Sequence, residues 1–202
     1  DSSGSHLKWG YILWDNDATF GHYINYTGIP NTTPTADPCD PETLTNFGDP
    51  YQDAHISMLN KLRTNSDFEQ YYISRQLDLW NTTFSCDNML PQLDSTAGLL
   101  DLEMTQHAAR WAGTFWEWET NYLNLRDFIT QRCTALTSGF ISCYSLTGPY
   151  ELNLNADPAN AGSIKLNSLT IDQLPWKGNY FGGIDMKLEA LPDTNSTFIN
   201  WT

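Results

Sequence analysis

The spacing of apolar residues changes several times along this chain, and each change marks a different kind of element. Residues 8–14, Lys-Trp-Gly-Tyr-Ile-Leu-Trp, end in a nearly continuous apolar run, the pattern of a buried strand. From Gly28 to Pro50 the prolines Pro30, Pro34, Pro38, Pro41 and Pro50 stand among Thr, Asn and Asp, which predicts a long loop without regular structure. Loops of that length are often functional. Near His55 a helical period begins, with Ile56, Leu59 and Leu62 on one face. Asn65-Ser66-Asp67 then reads as the cap of a second helix carrying Phe68, Tyr71, Tyr72, Arg75, Leu79 and Trp80. A third helix is expected from Asn88 to Leu102 around Met89, Leu93 and Leu100, with Gly98 weakening its middle. The fourth and longest, from about Thr114 to Ala135, sets Trp118, Leu125, Ile129 and Leu136 at helical intervals, and the helical run ends near Gly139.

Beyond Gly148-Pro149 the period drops to two. Tyr150–Leu154, Ser163–Asn167, Asp185–Ala190 and Thr197–Trp201 each alternate polar with apolar, and Gly178, Gly182 and Gly183 read as turns between strands. The expected fold class is α+β: a mainly helical part with a short N-terminal strand or hairpin, then a small antiparallel β module. The boundary falls near residue 145, giving units 1–145 and 146–202.

Composition narrows the function. Aromatic residues make up 13% of the 202 positions and charged residues only 17%, so the chain has enough apolar surface to fold. A net charge of −14, with no basic stripe, repels phosphodiester backbones and argues against nucleic-acid binding. A nucleotide can still bind through a divalent cation. No apolar run approaches the roughly 20 residues of a membrane span. Cys39, Cys86, Cys133 and Cys143 lack CxxC spacing, which favours disulfides over zinc. Cys133 and Cys143 flank a short segment at a helix end and could pair, leaving Cys39 with Cys86; four buried thiols are the alternative.

The chemistry concentrates in Tyr11–Tyr23, which contains Asp15-Asn16-Asp17-Ala18-Thr19. Two carboxylates just past a strand end can converge where the backbone bends, and a hard divalent cation takes such oxygen ligands with waters in its other positions. An EF-hand loop also begins Asp-x-Asp, but it needs glycine and glutamate where Phe20 and Tyr26 stand. A haloacid-dehalogenase-type phosphatase would use Asp15 as nucleophile and Asp17 as acid/base, yet it needs alternating strands and helices that the downstream pattern lacks. His22 is placed to contact phosphate or metal, or simply to pack as a loop histidine.

The flanking residues extend the match. Trp-x-Tyr-x-x-Trp-Asp-x-Asp-x-Thr-Phe-Gly, from Trp9 to Gly21, resembles the end of the atypical kinase core of CotH-family proteins. The following His22–Pro30 is similar to a Bacteroidetes-like branch, and the helical tract with Arg75 and Arg110-Trp111 looks like that family's C-terminal lobe. The resemblance covers about residues 8–137. It implies magnesium or manganese bound by Asp17 and Asp15, with ATP as donor and a protein as acceptor. Only fourteen residues precede Asp15. In the family the phosphate-cradling cation, the nucleotide cover and the base lie largely upstream, so the chain is expected to be a C-terminal fragment, inactive alone, of a secreted or surface-attached bacterial kinase.

Trp111, Phe115, Trp116 and Trp118 stand at spacings expected to fill an interior, whereas Trp176, Tyr180 and Phe181 are expected to be exposed and to suit carbohydrate. Arg110 can stack on Trp111 or pair with Asp101 or Glu103. The terminal stretch, with Pro175-Trp176-Lys177-Gly178 and Tyr180-Phe181-Gly182-Gly183, is similar to small repeat modules of bacterial surface proteins, including internalin-type B-repeats. That likeness implies a spacer or adhesion role, and a non-catalytic surface module is the alternative reading of the whole chain.

Overall fold

A computed structural model of the chain describes Phe20, residues 31–43 and residues 50–202, with side chains from residue 55 onward in the last stretch. The expected strand at 8–14 lies outside the described residues.

Among the described residues four α-helices come first: α1 (Pro50–Arg63), α2 (Ser66–Trp80), α3 (Cys86–Trp111) and α4 (Phe115–Tyr144). The Asn65 cap forms as expected, its side chain accepting from Phe68 N at 3.0 Å, and Asp67 and Glu69 sit at the positive end of α2. Thr114 caps α4 in the same way by accepting from Glu117 N at 3.1 Å. Two helices are longer than their patterns suggest. α3 continues through Trp111, and α4 passes Gly139 to end at Ser145 in the left-handed region, φ 54°. Gly139 does not end α4 because a tertiary contact uses it: a Cβ there would lie 2.5 Å from Pro38 Cδ. The described part of the proline-rich stretch also holds a regular piece, a 3-10 helix at Asp40–Thr43.

Five strands follow: β1 (Thr147–Leu154), β2 (Gly162–Leu166), β3 (Leu169–Ile171), β4 (Trp176–Gly182) and β5 (Leu188–Pro192). They form two antiparallel sheets, β1–β4 and β3–β2–β5. The expected antiparallel β part is present, with two corrections. Gly178 and Gly182 lie inside β4 rather than in turns, because Gly178 makes room for the ring of Trp176 and Gly182 for the Thr147 hydroxyl of β1. Residues 197–201 alternate in sequence but pair with no strand among the described residues.

The core joins the two kinds of structure. Ile73 and Leu77 of α2 and Phe140 of α4 pack with Leu154, Ile164, Leu166, Ile171, Tyr180 and Phe181 of the strands. Tyr180 and Phe181 are only 2% and 3% exposed, so the expectation of exposed rings there is overturned: alternation along β4 turns Tyr180 toward α2. Trp111 and Trp116 are the reverse case, 67% and 70% exposed instead of interior. Their helical spacing is real, but α3 and the start of α4 pack mainly on each other and leave their outer faces to solvent. In α3 no residue is buried.

Disulfides link Cys39 to Cys143 and Cys86 to Cys133. Disulfide formation was the expected state, but Cys133 and Cys143 do not pair with each other. One continuous helix carries both, and ten residues of helix rise about 15 Å, far beyond the Cα spacing a disulfide spans.

Candidate functional site

Asp15, Asp17 and His22 lie outside the described residues. Their neighbour Phe20, three positions after Asp17, is described. Its backbone is in the left-handed region, φ 59°, and its ring meets Phe128 of α4 edge-on, centroids 5.9 Å apart at 88°. A bulky residue rarely takes this conformation. Behind Phe20 opens a cavity of about 360 Å³ between α2, the turn at Phe84, the start of α3 and the middle of α4. Ile129 and Phe140, 4% and 3% exposed, line it, together with Leu79, Trp80, Phe128 and Arg132.

The loop at 31–43 is fixed against the same helices. Arg132 donates through Nη1 to the carbonyls of Pro34, at 3.3 Å, and Ala36. Cys39 is bonded to Cys143, and Pro38 fills the notch at Gly139. Burial holds the Arg132 guanidinium below its usual pKa, and the nearby charges of Asp37 and Asp40 oppose that. Three residues beyond Cys39, the buried Glu42 receives the Tyr72 hydroxyl at 2.8 Å, the Tyr144 hydroxyl at 2.6 Å and the Arg63 guanidinium. Arg63 also donates to both carboxylate oxygens of Glu69, at 2.6 and 2.8 Å, and those hydrogen bonds raise its pKa most. Burial, reinforced by the hydrogen bond to Glu42, pushes both phenols well above the normal tyrosine range.

A second carboxylate hub lies on the other side of α2. Asp78, fully buried, accepts from the Tyr180 hydroxyl at 2.9 Å, Ser168 N at 3.0 Å, Asn167 Nδ2 at 3.2 Å and the Ser168 hydroxyl. Burial first, and the Asp78 charge second, raise the Tyr180 phenol. Arg75 donates to the Ser168 hydroxyl at 2.8 Å, so it braces the β2–β3 turn. Asn81 exchanges two hydrogen bonds with the backbone of Asn179, at 2.7 and 2.8 Å. Of the two readings of Arg110 the structure shows the stack: its guanidinium lies over the Trp111 ring, 5.1 Å from the centroid, and no ion pair with Asp101 or Glu103 forms.

Both hubs are structural in form, since tyrosine, arginine and backbone donors occupy their oxygens. Sequence reasoning passed over Glu42, Asp78 and Arg132. Ser74, Asp78 and Asn81, at i, i+4 and i+7, make a polar stripe beside the apolar Ile73, Leu77 and Trp80, and that spacing was a readable sign of a polar contact with another element. Glu42, in a proline-rich loop, carried no such sign. Among the described residues no group of three or more His, Cys, Asp or Glu is placed to hold a metal ion, and no helix is long and apolar enough to cross a membrane.

A sequence model of the CotH kinase protein family matches residues 2–136. The chain belongs to this family. No curated protein and no solved structure gives a match. The CotH span takes in the acidic motif, the 31–43 loop, α1 to α3 and most of α4, while the five described strands follow it. Family membership brings a kinase-like fold, and with it nucleotide and metal use as the family's general chemistry.

Proposed function

We propose that this CotH-family chain is the C-terminal part of an exported, surface-attached bacterial protein kinase, from a Bacteroidetes-like lineage, that transfers phosphate from ATP to a protein side chain. The observation that carries this reading is the family match across the whole acidic motif, 2–136. The seating of Phe20 on α4, 5.9 Å from Phe128, supports it by tying the motif's neighbour to the helical part. Asp17, and Asp15 beside it, are the carboxylates we assign to Mg2+ or Mn2+; two hard oxygen donors suit such a cation in chemistry. When held there, the cation would offset the charge of the nucleotide phosphates during transfer. To Asn16 and Thr19 we assign the shaping of the motif's turn, and to His22 a contact with phosphate or metal. Residues 1–145 form the kinase-related unit in this proposal, and 146–202 a surface module resembling a small β repeat.

The test is transfer of labelled phosphate from ATP to protein by the longer parent polypeptide, with magnesium or manganese. Asp17→Ala should lower the rate by roughly a hundredfold or more, as loss of a charge-neutralising group does. Undiminished transfer would remove Asp17 from the metal role.

A second reading, a non-catalytic module for carbohydrate contact, rests on Trp111 and Trp116, 67% and 70% exposed. Trp116 borders an open cleft with Glu117, Thr120 and Asn121, groups that can hydrogen-bond sugar hydroxyls while the indole takes a ring face. Retardation of the protein in gels containing soluble polysaccharide, abolished by Trp116→Ala, would favour this reading.

A further inference from the structure

We propose that the cavity between α2, α3 and α4 binds a small amphiphile, an acyl or aryl chain with a single anionic head, with Arg132 receiving the head. The cavity's volume of about 360 Å³ lies within the range of small-molecule sites. Its described lining is apolar apart from Gln76 and Arg132, and the Gln76 amide already donates to the Tyr144 hydroxyl at 2.9 Å. Arg132 is therefore the one charged group at the cavity among the described residues.

Its bonding is unusual for a half-buried cation. Both hydrogen bonds leave from Nη1 and end on neutral carbonyls, those of Pro34 and Ala36. Asp37 and Asp40 are close enough to act on its charge, but neither forms an ion pair with it. Elsewhere Arg63 and Arg126 are in direct contact with carboxylates. A partly desolvated guanidinium with no anion in contact among the described residues gains from one, and a planar fork suits a carboxylate in particular. Arg132 lines the cavity among apolar side chains, which sets its charge beside apolar surface.

A protein of net charge −14 gives no general welcome to anions, so selectivity for an anionic amphiphile must come from this site. A nucleotide fits the lining less well. Ribose, base edges and several phosphates need many polar partners, and the cavity supplies one cation and one amide already in use.

Calorimetric titration of the chain with decanoate, decan-1-ol and decylamine, each below its aggregation limit, tests the assignment. Decanoate should bind one to one and at least about tenfold more tightly than decanol, with decylamine weaker than both. Arg132→Gln should bring decanoate to the affinity of decanol. Because Arg132 also holds the 31–43 loop, Met89→Trp, which fills the cavity edge, is the second variant; it should abolish binding of both, with circular dichroism showing that the helices are kept. The proposal is overturned if wild type shows no saturable decanoate binding, if decanoate binds no more tightly than decanol or decylamine, or if AMP competes with decanoate for the cavity. Decanoate binding that survives both variants overturns it as well.

Discussion

Replacing Asp78 by alanine should destabilise the protein by about 3–5 kcal/mol, the usual cost of breaking a buried charged network from one side. Four donors converge on this carboxylate: the Tyr180 hydroxyl, Ser168 N and Oγ, and Asn167 Nδ2. Counting each as a charged hydrogen bond at about 1.5–3 kcal/mol would overshoot, because the same substitution removes the carboxylate's own desolvation cost. What remains is the state of the donors left behind. Ser168 is exposed and Asn167 only partly buried, so both recover water. Tyr180 is 2% exposed and cannot; its stranded hydroxyl costs about 1–3 kcal/mol, and the space vacated inside the core adds to it. Urea unfolding followed by circular dichroism at unchanged slope measures the loss. The companion variant is sharper. Tyr180→Phe should cost about 1–2 kcal/mol in wild type, but nothing, or a slight gain, once Asp78 is alanine, because the hydroxyl it removes has then lost its partner. Simple addition of the two costs, or a loss below about 1 kcal/mol for Asp78→Ala, would refute the account of Asp78 as the joint between α2 and the strands.

Alkaline pH should unfold the protein early. Tyr72, Tyr144 and Tyr180 all have raised folded-state pKa values, so each holds its proton in the fold after the unfolded chain has lost it. That stability is complete below about pH 10 and falls by up to about 1.4 kcal/mol per pH unit per phenol above it. Denaturation midpoints from pH 8.5 to 11.5 should show the decline, and Tyr180→Phe should make it shallower; a flat profile contradicts the assigned burial. Gly139→Ala should destabilise by about 1–3 kcal/mol although alanine favours helix by about 1 kcal/mol, because overpacking against Pro38 outweighs propensity. The new Cβ would lie 2.5 Å from a ring held by the adjacent Cys39–Cys143 bond. Thermal unfolding decides the sign, and a higher midpoint would mean that the loop yields freely.

The helices and the antiparallel strands were legible because their signals are local: Asn65 as a cap, Ile56, Leu59 and Leu62 on a helical period, Leu152 and Leu154 on a period of two. Errors arose where a tertiary partner decides. Gly139 and Gly178 look like breaks, yet each makes room for a ring from elsewhere, Pro38 or Trp176. Trp116 and Tyr180 show the same limit, since periodicity finds a face without saying what covers it. Cysteine pairing depends on which helix ends meet, a long-range fact that four cysteines and their spacing do not encode. At the acidic motif the sequence remains the whole source for Asp15, Asp17 and His22. The structure adds the resting place of Phe20 and the two saturated hubs around α2.

The α3–α4 hairpin has no buried residue in α3, and its base is closed by Cys86–Cys133 where α3 begins. Partway out, Asp94 takes the Tyr122 hydroxyl at 2.8 Å and the Arg126 guanidinium at 3.1 Å. Beyond that point, toward Trp111 and Phe115, the two helices have little but each other among the described residues. Such a hairpin opens like a zip fixed at one end. Amides near the tip can exchange with solvent at a small fraction of the global unfolding energy, while those of α2 wait for the whole core to open. The disulfide keeps the separated helices within reach, so each opening closes in register instead of spreading into the fold.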